Sequence, residues 1–341
     1  MKRDLLDIVR CPECASFPLR CTSFADDADG SIVTGVLSCT SCSTWYPIED
    51  RVLELLQHSL AYADDRRRFW HAHQTELEGL GLRPHDSEPV VDDVTAQREQ
   101  QEHFDWYSDN DTQTYAIYEA MRSWQLMDQR IFADWRKMMR PGGRLLDVGC
   151  AQGRSSFKVR APGVTIVGFD VSKHLVAQAV KRARGRQNMH FFVGDATRMP
   201  IVDASFDHVL IYGVLHHLPQ PPRVCREAAR VLKPGGVFFC SENNETALHP
   251  AFDLLQRIWP IWYEEAGEHA HIHSDELKEW LEDAGFRPQI RSEVFVPPHL
   301  LNVLPPRLGR DLLNLTDRAL VSVPWLREQG GLLVSTSVKA G

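Results

Sequence analysis

Two short cysteine motifs carry the most definite chemistry in the sequence: Cys11-Pro12-Glu13-Cys14 and Cys39-Thr40-Ser41-Cys42. Cysteines two residues apart can turn both sulfurs toward one ion. Two such pairs, about two dozen residues apart, supply the four thiolates of a closed tetrahedral zinc site with no position left for a substrate. Cys11, Cys14, Cys39 and Cys42 are therefore expected to hold a structural metal. The other cysteines, Cys21, Cys150, Cys225 and Cys240, are scattered and do not form a disulfide framework. A unit of residues 1–57 has little apolar core of its own, so the ion is expected to provide much of its folding energy.

A second set of residues suits a nucleoside. The stretch Asp147-Val148-Gly149-Cys150-Ala151-Gln152-Gly153 follows a short apolar strand. Glycines at a strand-to-helix turn let the backbone approach a ligand closely. Asp170 closes the next strand, about 20 residues on, where a carboxylate can accept both ribose hydroxyls. Gly194-Asp195-Ala196 closes a third strand, where an acid can accept from an adenine amino group. Ala151 stands where a dinucleotide turn commonly has glycine, which favours a nucleoside without a pyrophosphate.

The third set is Tyr212-Gly213-Val214-Leu215-His216-His217-Leu218-Pro219, with Glu242 after a later strand. An imidazole here can take a proton near neutral pH. His217 is the preferred base, His216 the second choice, and Glu242 is expected to orient His217. The alternative reading is that the two histidines only shape the loop.

Strands and helices must position these groups. Apolar runs at 144–148, 164–169, 190–193, 206–212 and 237–240 alternate with helical segments. In one of these segments Val224, Ala228, Val231 and Leu232 mark a single face. Such alternation argues for a mostly parallel sheet covered on both faces. Residues 58–139 read as a helical linker or cap, and 140–341 as the main domain. His249–Tyr263 is rich in aromatics and reads equally well as a lid or as core. His269, His271 and His273 alternate in sequence and read as a polar loop or, less simply, a metal triad. Ser274-Asp275-Glu276-Leu277 has the pattern of a helix start with an N-cap. Val294-Phe295-Val296 and Leu332–Thr336 are expected as the last two strands. Between them, Pro297–Gln329 is an insertion that would serve as a pocket wall or a dimer contact.

With these residues in view, two resemblances stand out. Leu5-Leu6-Asp7-Ile8, the two cysteine pairs and Tyr46-Pro47-Ile48-Glu49-Asp50 resemble the small zinc domains related to Trm112, which are linked with methyltransferases as partners or by fusion. Residues from about Arg144 to Asn244 resemble the class I methyltransferases of the type 11 group. That resemblance implies a Rossmann-like α/β domain with a mostly parallel, seven-stranded sheet, here behind a small zinc-ribbon-like β domain. It implies S-adenosylmethionine as cofactor beside the structural zinc. Asp147, Gly149 and Gly153 would line the methionine end, with Cys150 and Ala151 between them. Asp170 and Val171 would hold the ribose, Asp195 and Ala196 would read the adenine, and Tyr212 would belong to the same wall. Ala151 departs from the usual middle glycine.

The expected activity is methyl transfer to a small-molecule acceptor such as a secondary metabolite, sugar or lipid precursor. RNA methylation is the runner-up, and a non-catalytic cofactor-binding scaffold is the third reading. The formal charge is −8, from 38 basic and 46 acidic side chains, which suits a nucleic-acid backbone poorly. Lys181–Arg186 is the best basic stretch and is equally well a solvated helix end. Tyr212-Gly213-Val214-Leu215 also stands where amide or exocyclic-nitrogen methylases have an Asn-Pro-Pro-Tyr type motif. No run of apolar residues is long enough to span a membrane, and the start of the chain has acids where a signal peptide would be apolar. A cytoplasmic location is the expectation.

Overall fold

In the computed structural model, residues 1–84, 95–110, 119–260 and 271–341 are described. The N-terminal part is an antiparallel sheet of β1 (Arg20–Asp26), β2 (Ile32–Ser38), β3 (Trp45–Glu49) and β4 (Val52–Leu53), in that order. Helix α1 (Ala63–Ala72) and α2 (Gln74–Gly79) follow directly. They are no mere linker. Phe69, Trp70 and Leu77 pack with Val36 and Trp45 in one cluster, so these helices complete the core of the small domain.

The main sheet runs β10-β12-β9-β8-β5-β6-β7, with β11 also paired to β12. Its strands are β5 (Arg144–Val148), β6 (Thr165–Asp170), β7 (Met189–Val193), β8 (Phe206–Tyr212), β9 (Leu232–Asn243), β10 (Phe286–Arg287), β11 (Ile290–Glu293) and β12 (Leu332–Lys339). β5 to β9 pair in parallel and β12 lies antiparallel to β9. β5, β7 and β8 are buried almost throughout, the reason they read as continuous apolar runs. Helices α5 (Arg154–Val159), α6 (Lys173–Arg182) and α7 (Pro221–Val231) connect them. Lys181 and Arg182 close α6, where cations complement the helix end.

Two local expectations are corrected. Residues 294–296 do not form a strand. Val294 has φ +69°, which breaks the extended run, and the Asp317 carboxylate accepts the Val294 and Phe295 amides at 3.2 Å. The short strands β10 and β11 come before it instead. The cap of helix α9 (Ser274–Asp283) is His273 rather than Ser274. Its ring accepts the Asp275 amide, and Glu276 accepts the His273 amide in return. The insertion at 297–329 is largely helical, with α10 (Pro298–Val303) and α11 (Pro306–Leu320).

The small domain and the main sheet share one core. Leu5, Val9 and Leu55 cluster with Phe192 and Ile201. The backbone joins them too. Glu54 bridges Val193 in parallel, Leu55 N donates to Val193 O at 2.9 Å, and Val9 bridges Ile201 antiparallel. The chain after β4 thus covers the edge of β7 that would otherwise expose unpaired backbone. Beneath this seam Arg66 Nε and Glu54 Oε1 form a fully buried pair at 2.8 Å. Helices α3 (Thr95–Asn110) and α4 (Arg122–Met138) then cross the C-terminal ends of the strands and one sheet face, with Trp135 against Phe132, Tyr212 and Phe239. No helix among the described residues is long and apolar enough to cross a membrane.

Candidate functional site

The two cysteine knuckles come together at one point. Cys11 Sγ lies 3.6 Å from Cys42 Sγ, and Cys14 Sγ lies 3.5 Å from Cys39 Sγ. All four ligand atoms fall within 4.8 Å of one another. A zinc ion at about 2.3 Å from each sulfur needs them roughly 3.8 Å apart, so the donor set fits. Each knuckle closes in the same way. The Ala15 amide donates to Cys11 O and the Ser43 amide to Cys39 O, with both residues at φ +61°. The Ser16 hydroxyl beside Cys14 brings that thiol down to about 6, whereas burial pushes Cys11 up to about 12. Tyr46 Oη lies 3.1 Å from Cys11 Sγ, a contact that anchors the metal corner to β3.

The second site is a cavity of about 1160 Å3 at the C-terminal ends of β5 to β9. The turn after β5 builds one wall. Gly149 N and Cys150 N both donate to Phe169 O, at 2.9 and 3.0 Å. Gly149 sits at φ +69°, and a Cβ there would stand 2.6 Å from a Val214 methyl, so only glycine fits. Ala151 takes φ +46° and lends its amide to Asp170 Oδ2 at 2.9 Å. Asp170 Oδ1 accepts the Ser172 amide at 3.0 Å. Burial drives the Asp170 carboxyl up to about 6. Asp195 accepts both the amide and the hydroxyl of Thr197, at 2.8 and 2.6 Å, and burial raises it too.

Gly149, Cys150, Ala151, Asp170, Val171, Asp195, Ala196 and Tyr212 all face this cavity. Asp147 and Gly153 lie behind it. Asp147 is fully buried and accepts hydrogen bonds from Ser155 Oγ and Ser156 Oγ, at 2.7 and 2.5 Å, so it ties β5 to α5. Its Oδ1 has no partner among the described residues, and burial lifts the group to about 6. Gly153 takes φ +85° and begins α5.

The histidine pair lines the same cavity, after the end of β8. Glu242, at the end of β9, is 1% exposed. Its Oε1 accepts the Val214 and Leu215 amides at 3.0 and 2.9 Å, and its Oε2 lies 2.7 Å from His216 Nδ1. The expected partner was His217. The 3-10 turn Leu215–His217 instead aims His216 at Glu242 and turns His217 edge-on to Phe104 of α3, at 5.5 Å. Both rings line the cavity, 4.0 Å apart.

Arg154 and Asp128 were not singled out from sequence. Asp128 of α4 accepts Tyr212 Oη at 2.6 Å, Arg154 Nη2 at 2.8 Å and Lys158 Nζ at 2.6 Å. The only sequence signal was an arginine directly after the glycine turn with a lysine four residues on. Helix α8 (His249–Ile258) adds His249, Phe252 and Gln256 to the outer wall, and the His271 ring lies tilted against His249, their centres 3.9 Å apart. Tyr263 and His269 lie outside the described residues. Gln97, Gln100, His103 and Phe104 of α3 cover the cavity from above.

A parallel sheet with one antiparallel strand beside it, and a cavity over its C-terminal ends at a glycine turn, make up a class I methyltransferase fold. The family comparisons agree. Residues 146–240 match the methyltransferase domain model, and residues 2–50 match the Trm112p-like protein model. The chain carries both domains. The cofactor of the first is S-adenosylmethionine, and the cysteine cluster of the second suits zinc. Among curated relatives, the 27-O-demethylrifamycin SV methyltransferase of Amycolatopsis mediterranei is 32% identical over 46% of this chain and 58% of its own length. A demethylmenaquinone methyltransferase of Staphylococcus aureus is 29% identical over 45% of this chain and 66% of its own length. The chain thus spans less than two thirds of either relative. A solved complex between the Haloferax volcanii Trm112 methyltransferase activator and a methyltransferase overlays with a TM-score of 0.47 and 20% identity, covering 70% of this chain and 98% of that one.

Proposed function

We propose that this chain is an S-adenosylmethionine-dependent methyltransferase for a small-molecule acceptor, with a zinc module that supports the edge of its catalytic sheet. The observation that carries the reading is the meeting of Gly149, Asp170 and Asp195 with His216 and His217 around one cavity, where His216 is held from behind by the buried Glu242. The names of the two curated relatives support a small acceptor, and the aromatic outer wall, with Trp124, Phe252 and Phe104, supports one with an apolar body.

When bound, the cofactor supplies an electrophilic methyl on a sulfonium, so the protein's task is alignment in a water-poor site. In this reading Asp170 accepts the ribose hydroxyls on lone pairs that the Ala151 and Ser172 amides leave open. Asp195 accepts from the adenine amino group, and Tyr212 borders the methionine end. An acceptor bearing O–H or N–H must lose a proton as its lone pair reaches the methyl. We assign that proton to His216. Two backbone amides donate to Glu242 Oε1, which leaves Oε2 turned toward the His216 ring. That oxygen then accepts Nδ1–H from His216, so Nε2 is the basic nitrogen. His217, held against Phe104, shapes the acceptor wall.

Titration calorimetry with S-adenosylhomocysteine tests the reading. One site per chain is expected, abolished or strongly weakened in Asp170→Ala. Absence of binding to both this product and S-adenosylmethionine would remove it.

A further inference from the structure

Helix α8 carries its polar side inward. His249, Asp253, Gln256 and Arg257 line the cavity with one face. Helical spacing puts Ala251, Leu254 and Ile258 on the opposite face, and Ile258 is 73% exposed. None of the ten residues of α8 is buried. The apolar surface continues onto the next helices. Trp259 lies against His299 of α10, ring centres 5.8 Å apart, and Leu300 and Val303 of α10 are exposed. Helix α11 has two apolar faces. Gly309, Leu313 and Asp317 form the buried one, where Gly309 meets Leu126 of α4. Leu308, Leu315 and Ala319, at i, i+7 and i+11, form an exposed stripe, with Leu315 66% exposed. Trp325, just past α11, is 74% exposed. Apolar surface of this extent marks a docking face.

The same face is basic, on a chain whose formal charge is −8. Arg307, Arg310 and Arg318 of α11 are exposed, and Asp311 is the only exposed acid over residues 298–320. Arg307 and Arg318 stand about a quarter-turn from the leucine stripe, so their stems can lie along it while the guanidinium groups reach past it. A second copy docked about a two-fold axis would bring like arginines toward one another. An anionic lipid surface takes both features, the apolar stripes at the acyl boundary and the arginines at the phosphates. We propose that α8, α10 and α11 form a face that docks the protein on an anionic bilayer without spanning it. Helix α8 belongs both to this face and to the cavity wall, so an apolar acceptor dissolved in the bilayer meets the cavity at its rim. The docking itself does not depend on the activity proposed above.

Vesicle flotation of the full chain tests this, on equal parts of phosphatidylcholine and phosphatidylglycerol and on phosphatidylcholine alone. The wild type should float with the anionic vesicles and far less with the neutral ones. Ile258→Glu combined with Leu315→Glu changes two exposed positions, so the protein should still fold, with its melting temperature as the check. This double variant should lose binding to the anionic vesicles by about tenfold or more. Arg307→Gln with Arg318→Gln should lose on the order of 10-fold on the anionic vesicles and little on the neutral ones. No flotation of the wild type overturns the proposal, as does flotation that the double glutamate variant leaves undiminished. Light scattering after size exclusion supplies the remaining arm. A monomer supports the proposal, whereas a dimer that the double glutamate variant splits would give the face to a second copy and overturn it.

Discussion

Asp170 Oδ2 accepts the amide of Ala151 at 2.9 Å, so the acid that ends β6 and the turn that follows β5 form one unit. The bond fixes the carboxylate's orientation before any ligand arrives. It also explains why Ala151 is held at φ +46°, a conformation that favours glycine. The same acid is buried, which raises its proton affinity, so its charge depends on pH near neutrality.

A pH dependence of nucleoside binding follows. Ribose hydroxyls donate to the charged carboxylate, so binding favours ionised Asp170 and releases a proton where the group is partly protonated. Burial places that carboxyl at about 6. Affinity for S-adenosylhomocysteine should be constant above neutrality and fall as pH drops below about 6. Asp170→Asn should be weaker throughout, by about 1.5–3 kcal/mol, with a flatter profile. Calorimetry between pH 5 and 8 reads both. Asp147 also stands at about 6 but lies behind the wall, so this variant separates the two acids.

The histidine assignment yields a second expectation. Glu242→Gln keeps the acceptor for the Val214 and Leu215 amides but turns an NH2 toward His216 Nδ1. That forces the proton onto Nε2 and removes the base. With an O–H acceptor, kcat should fall about 10²- to 10⁴-fold in His216→Ala and substantially in Glu242→Gln, with KM little changed. His217→Ala should instead act mainly on KM. A larger kcat loss from His217 than from His216 would reverse the assignment.

The zinc module should matter beyond its own fold. Cys39→Ser should leave less than one zinc per chain by metal analysis. Because Leu5, Val9 and Leu55 share a core with Phe192 and Ile201, the melting temperature of the main domain should fall as well. A metal-free protein with unchanged melting would mean that the two cores are independent.

The glycine turn gives a packing test. Gly149→Ala puts a methyl 2.6 Å from one Val214 methyl and 2.8 Å from the other, at φ +69°. It should destabilise the protein by several kcal/mol, clash and backbone strain together. Adding Val214→Ala should relieve the clash and recover part of the loss. Ala151→Gly should be neutral or stabilising by up to about 1 kcal/mol, since strain relief is offset by the freedom that glycine gains when unfolded. Thermal and urea unfolding compare the three.

The sequence alone determined whatever depends on short spacing. Two Cys-x-x-Cys knuckles can only converge locally. Apolar runs that end in Asp147-Val148-Gly149, Asp170 and Gly194-Asp195 announce a parallel sheet and the acids at its strand ends. Tertiary structure decided what depends on rotation about a short turn or on contact across distant segments. A single step along the 3-10 turn at Leu215–His217 gives Glu242 to His216 rather than His217, and nothing in the order of two adjacent histidines encodes that. Arg66 and Glu54, the seam between Leu55 and Val193, and the sharing of Asp128 by Tyr212, Arg154 and Lys158 join residues whose meeting depends on the packed fold. Burial then set the charge states. Asp147 and Asp170 have the ordinary acidity of aspartate in the open chain, and only the closed sheet, which removes water from around them, carries them toward neutral pH.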